Sequence, residues 1–312
     1  MKKKVYAVLF IIFVLAAGIA GYHVISDQLD YKQSNDYYQS LSDAYVQTVV
    51  PEAETDEPRS GAGLLSFLLP ASAQAEDLDI LSEPELLDEY ISPEESSDQE
   101  KAEEEEYISG EFEDEIVIRT TTDQAPIRLN FNGMLSENPD VVGWIYCEGT
   151  PINYPVLQAE DNKKYLDTQP NGEKSRNGSI FLDCLCSPDF SSDNSLIYGH
   201  NRKDVMFASL FDYAKKGYYE EHPVMWLLTP DVDYKVDLIA SFVCNASDWV
   251  YTIGFDDEKA QESFLRSCLR ASDFKTAFTP ESSDRLITLS TCNSNYDGAR
   301  YVVVGVLSRC VK

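Results

Sequence analysis

Apolar residues follow three different rhythms along this chain. At the N-terminus, Lys2-Lys3-Lys4 precedes an apolar run from Val5 to about Ile25. Such a run meets the roughly 20 residues a helix needs to span a bilayer, and the flanking lysines favour keeping the N-terminus inside. A cleaved signal peptide competes, with Gly18-Ile19-Ala20 as its processing site. The unbroken continuation to Ile25 favours an uncleaved anchor. The rhythm then changes: Tyr38, Leu41, Tyr45 and Val49 recur every three or four residues, which predicts a helix over 26–50 with one face for packing. From Arg128 onward the period shortens. About eight segments rich in Val, Ile, Tyr and Phe are bounded by Gly, Pro, Asn and Asp, among them 142–147, 178–182, 195–198, 224–229, 235–244, 286–291 and 300–307. Helices are expected at 127–137, 206–215 and 256–271, the last with Phe264, Leu265, Cys268 and Leu269 on one face. The fold class is mainly β, a barrel or sandwich with inserted helices behind an N-terminal transmembrane helix.

Charge divides the chain further. The net charge is −29, and residues 51–115 hold 23 acidic and 2 basic side chains, so this stretch carries most of the excess. A surface so acidic argues against nucleic-acid binding. Few aromatics and dense charge predict a disordered segment over 51–120. It contains an apolar island, Leu64 to Leu69, and a small-residue run, Ala71 to Ala75, read as a weak contact segment. If the helix before it packs on the domain after it, the acidic stretch is an excursion and not a stalk.

The most informative chemistry lies near the C-terminus. Leu289-Ser290-Thr291-Cys292 ends one β-branched strand, and Arg300 begins the next after a short turn-rich loop, 293–298. An antiparallel pairing sets the thiol beside the guanidinium, which favours the thiolate and can stabilise an oxyanion. A general base is then needed, and the chain has three histidines. His23 lies at the end of the N-terminal apolar run, and His222 sits in the polar bend Glu221-His222-Pro223. His200 follows a short strand and a glycine in Tyr198-Gly199-His200-Asn201, a good place to present a side chain to a cleft. His200 is the expected partner of Cys292.

These motifs resemble a sortase, the cysteine transpeptidase of Gram-positive cell surfaces. Tyr198-Gly199-His200-Asn201, Thr288-Leu289-Ser290-Thr291-Cys292 and Arg300 before a valine run carry the resemblance. Asn138 to Ile145, Tyr154 to Gln158, Gly178 to Asp183 and Met206 to Leu210 extend it over roughly 128–310 in unbroken order. The helix expected at 256–271, just before the active-site strand, and the wording Thr-Leu-Ser-Thr-Cys are similar to class B members. A class C member would be expected to carry a lid and often a C-terminal membrane helix, whereas here Val311-Lys312 follow the last strand directly.

The resemblance implies a closed eight-stranded sortase-type β-barrel and a division into a cytoplasmic tail (1–4), a transmembrane signal-anchor (5–25), an extracytoplasmic helix (26–50), the acidic segment (51–120) and a catalytic domain (121–312). It implies a membrane-anchored enzyme on the extracytoplasmic face that cleaves a C-terminal sorting signal after Thr through a thioacyl on Cys292. The acyl group passes to a peptidoglycan-precursor amine. His200 acts as acid and base, and Arg300 holds the oxyanion or the substrate backbone. Ser290, Asn162 and Leu166 are implied as substrate-binding, although Leu166 reads equally well as core. No metal or organic cofactor is implied. A pilin lysine as acceptor, hydrolysis by water, and a catalytically idle scaffold remain as alternatives. The family often has an acid just after the cysteine; Asn293 and Ser294 stand there instead, with Asp297 the nearest acid.

Of the seven cysteines, Cys147, Cys244 and Cys310 sit in apolar strand contexts and are expected to be buried thiols. Cys184-Leu185-Cys186 is the only close pair, and weak as a zinc signal without suitable histidines.

Overall fold

The computed structural model of the protein describes residues 2–49, 118–292 and 298–311. The acidic segment and its apolar island, and the loop with Asn293, Ser294 and Asp297, lie outside the described residues.

Helix α1 (Lys2–Tyr45) comes first, followed by strand β1 (Val46–Thr48). After the acidic stretch come β2 (Thr120–Thr121), β3 (Ile127–Leu129), α2 (Phe131–Glu137), β4 (Val141–Tyr146) and β5 (Asn153–Leu157). Then follow β6 (Ile180–Leu182), β7 (Asn194–Gly199), the small hairpin β8 (Asn201–Arg202) and β9 (Val205–Met206), and α3 (Tyr218–Glu221). β10 (Val224–Leu228), β11 (Asp233–Asn245), α4 (Glu258–Ala271), β12 (Leu286–Cys292) and β13 (Ala299–Cys310) complete the chain.

The main sheet runs β11-β10-β4-β5-β6-β7-β12-β13, and β13 pairs back onto β11, closing an eight-stranded barrel. β2 lies parallel to β13, beyond the point where β12 begins. The unbroken run Tyr301 to Leu307 reflects burial of both faces of β13. Tyr301, Val303 and Leu307 join the main core, while Val302, Val304 and Val306 pack with Phe264, Leu265 and Cys268 of α4. That helix covers the outer face of β13, and its start is set by Asp257, whose Oδ1 accepts from the Ala260 amide at 2.8 Å.

Several expectations need correction. The segment 127–137 is not one helix: Ile127–Leu129 pairs with β1, and Asn130 caps α2 by accepting from the Gly133 amide at 3.2 Å. Within 206–215, Val205–Met206 is a strand and Ala208–Ala214 a 3-10 helix. Leu269 is 42% exposed, because it follows Cys268 by 100° of helical turn and leaves the packed face. Cys310 is only half-buried. The anchor and the following helix are a single unbroken α1, and Val49 lies past its end, donating its amide to Pro126 O.

The first part of α1 is long and apolar enough to cross a membrane. Its second part packs on the barrel. Tyr38 and Leu41 are buried, Tyr38 meets Tyr154 edge to face at 5.4 Å, and Ser42 Oγ accepts from Asn153 Nδ2 at 2.8 Å. On either side of the acidic stretch the described residues are held on the barrel: β1 pairs with β3, and the Arg119 guanidinium grips Asp284 through Nε at 2.7 Å. Tyr38→Ala removes a buried ring and should cost about 3 kcal/mol. Chemical denaturation of the full chain checks this, and a loss below about 1 kcal/mol would mean that α1 contributes little to the fold.

Candidate active site

Three strand ends converge at one rim of the barrel. β7 and β12 are parallel, with Thr291 opposite Gly199, so His200 and Cys292 each follow a paired position at the same end. β12 and β13 are antiparallel, and their register sets Cys292 opposite Arg300. With adjacent strands about 4.8 Å apart, the Cys292 backbone stands between those of His200 and Arg300. A glycine at 199 is required by crowding: a Cβ there would lie 2.4 Å from Ile180 Cδ1 and 2.7 Å from the Phe207 ring.

A groove of about 210 Å³ opens at this rim, lined by Asn162, Leu166, Phe181, Tyr198, His200, Tyr251, Ser290 and Arg300 among others. His200 Nε2 lies 2.6 Å from the Leu166 carbonyl. A carbonyl can only accept, so Nε2 carries a proton, and Nδ1 is the nitrogen left to exchange one. Arg300 Nη1 donates to the Ala299 carbonyl at 2.9 Å, using one of the five guanidinium N–H bonds to fix the head group.

The groove walls are tied together by hydrogen bonds. Ser290 Oγ and Tyr251 Oη are 2.8 Å apart, and the Tyr251 ring stacks on Tyr198. Tyr198 Oη and Asn162 Nδ2 both donate to Asp183 Oδ2, at 2.9 and 2.8 Å. Asn162 Oδ1 also accepts from the Cys184 amide. Burial pushes both tyrosine hydroxyls far above their ordinary range, so both stay neutral. Leu166 is 44% exposed and faces the groove, which answers the core reading of that residue.

The remaining histidines lie elsewhere. His222 packs its ring on Tyr218, with centroids 4.6 Å apart, and its Cε1 sits close against Gly149. His23 is on the exposed first part of α1. Tyr251 and Phe181 escaped the sequence reading. The signal at Tyr251 is faint: an aromatic pair, Trp249 and Tyr251, in a loop whose fold into a 3-10 turn brings the phenol over Ser290.

No family model matches the chain. Sortase B of Listeria monocytogenes is 33% identical over 191 residues, which span 60% of this chain and 78% of that protein. The chain belongs to the class B sortases. The Staphylococcus aureus sortase B–substrate complex superposes with a TM-score of 0.55 at 31% identity, over 58% of this chain and 85% of that one. Clostridium perfringens sortase B gives 0.54 at 31% identity, over 57% and 99%. This sortase is thus a cysteine transpeptidase built on the family's closed barrel.

Four other thiols of this sortase, Cys147, Cys186, Cys244 and Cys268, are buried. Cys186 Sγ lies 3.8 Å from Asn194 O and 3.4 Å from the Leu196 amide, which commits it to the barrel wall. Burial pushes both Cys186 and Cys244 up to about 11, so about one part in a thousand is thiolate at pH 8. Their folded pKa lies above the ordinary 9.0, so their contribution to stability is present below 9.0 and fades as pH climbs toward 11. Iodoacetamide at pH 8 should leave Cys186 and Cys244 unmodified in the native protein. Peptide mapping reads this, and rapid labelling of either would show that the barrel wall opens.

Proposed function

We propose that this sortase is held in the membrane by residues 5–25, with 1–4 inside and the barrel outside, and joins surface proteins to the cell wall. The Cys292 thiolate attacks the carbonyl of a threonine in a C-terminal sorting signal, and the electron pair moves to an oxyanion stabilised by Arg300. The C–N bond breaks as protonated His200 donates its proton to the leaving amine. A thioester on Cys292 remains. A peptidoglycan-precursor amine then attacks it, His200 takes the amine's proton, and the thiolate departs as the new amide forms. Ser290, Asn162 and Leu166 line the path of the signal peptide.

The strand register carries this reading: Cys292 opposite Arg300, and Thr291 opposite Gly199 just before His200. Support for a peptide substrate comes from the Staphylococcus aureus relative, which was solved as a substrate complex. The acceptor rests on the family resemblance alone.

Mass spectrometry of the full chain in detergent with a panel of sorting-signal peptides, with and without triglycine, tests the proposal. The expected result is an adduct on Cys292 and an amine-dependent product; release by water alone would make the enzyme a hydrolase. Cys292→Ala should abolish the adduct, and His200→Ala should lower kcat/KM about 10³-fold. His222→Ala should affect stability more than rate, and the reverse ranking of the histidines would overturn the assignment. Arg300→Lys keeps the charge but loses the planar fork, so a fall of about 10²-fold is expected. Unchanged turnover in that variant would remove Arg300 from the oxyanion role.

A further inference from the structure

His200 is fixed from two directions, and both lead to α1. On the ring side, Nε2 bonds the Leu166 carbonyl. That carbonyl is pinned by Gly178, which lies so close that a Cβ would be 2.5 Å from the Tyr165 and Leu166 oxygens, and whose φ of +57° suits glycine. The neighbouring Ser179 amide donates to Tyr165 O at 2.9 Å. Tyr38 of α1 holds this junction from behind, donating its Oη to Gly178 O at 2.6 Å with Ser179 Oγ at 3.2 Å.

On the chain side, Arg202 follows His200 by two residues at the start of the small β8–β9 hairpin. Its Nη2 bonds Asp27 Oδ1 of α1 at 2.5 Å, and its Nε bonds Asn177 Oδ1 at 3.2 Å. Asp27 also accepts from Arg176 Nη1 at 2.9 Å, and Asp30 accepts from the Arg176 amide at 3.1 Å. The two guanidinium groups hold the Asp27 carboxyl below its ordinary range, so it is anionic throughout the neutral region. Residues 176–178 thus join the two routes: Arg176 and Asn177 belong to the Asp27 contact, and Gly178 to the Tyr38 contact.

We propose that Asp27 and Tyr38, on the segment of α1 that follows the apolar run, are positioning residues for His200. This rests on the reading of His200 as the acid and base. Neither residue lines the groove. Each acts through a partner: Asp27 through Arg202 and the backbone after His200, and Tyr38 through Gly178 and the carbonyl that selects the ring tautomer. Displacing a proton-transfer group by about 1 Å can cost about 10²-fold in rate, so loss of either contact should reach catalysis before it reaches folding.

The test uses the full chain in detergent micelles with a peptide that wild type turns over. Asp27→Asn removes the charge at constant size, and Tyr38→Phe removes one oxygen and keeps the buried ring. Each should lower kcat at least tenfold, with KM within about twofold and Tm within a few degrees. Asp27→Glu should recover most of the loss. Asp27→Asn with Arg202→Gln should cost clearly less than the two single losses multiplied, because both cut the Asp27–Arg202 contact. With three histidines in the chain, ¹⁵N-histidine labelling can report the His200 tautomer directly. The Nε2–H form should dominate in wild type and lose population in Tyr38→Phe. Wild-type kcat and tautomer in both variants would overturn the proposal, as would a fall in Tm with kcat unchanged. His200→Ala is the control: if it keeps activity, the reading of His200 itself has failed, independently of α1.

Discussion

The site depends on one pairing: β7 and β12 lie side by side and parallel. Parallel neighbours end at the same rim, whereas antiparallel neighbours would have sent His200 and Cys292 to opposite ends. Parallel strands also cannot be joined by a tight turn, so the chain must travel a long way between them. Here the connection from Gly199 to Leu286 holds two of the eight barrel strands, β10 and β11, together with α4. β13 then returns antiparallel and brings Arg300 to the same rim. His200 is far from Cys292 and Arg300 in the chain but shares their rim because of strand direction.

α4 follows from the same constraint. β13 pairs with β12 on one side and β11 on the other, so Tyr301, Val303 and Leu307 fill the barrel while its outward valines would face water. Val302, Val304 and Val306 need a cover, and the face formed by Phe264, Leu265 and Cys268 supplies it. Each such side chain is worth about 1.5–3 kcal/mol when taken from water. α4 is therefore part of what keeps the Arg300 strand in place.

Strand ends were legible in the sequence because punctuation marks them: Gly199 before His200, and the turn residues after Cys292. The strands themselves were legible from β-branched runs. Closure was not, since nothing in β11 or β13 alone says that each is the other's neighbour. The first half of 127–137 misled because Ile127 and Leu129 suit a helix as well as a strand, and only the β1 partner decides. Tyr38 was visible as a helix-face residue, but its bond to Gly178 joins positions 140 residues apart. Tyr251 was hidden for a similar reason: its value lies in meeting Ser290 across the groove.

The unbroken α1 also works as a ruler. Its contacts climb the barrel in order: Asp27 to Arg202, Ser34 to Gln169, Tyr38 to Gly178, Ser42 to Asn153, and Tyr45 to Glu137. The ladder covers about 27 Å at 1.5 Å per residue. Its lowest rung is Asp27, two residues beyond Ile25, and that rung holds the hairpin beside His200. The apolar run and the contact to Arg202 therefore sit on adjacent turns of one helix. Because α1 is unbroken, a single residue added between Ile25 and Asp27 would turn the whole ladder by about 100° relative to the apolar run and shift it by about 1.5 Å.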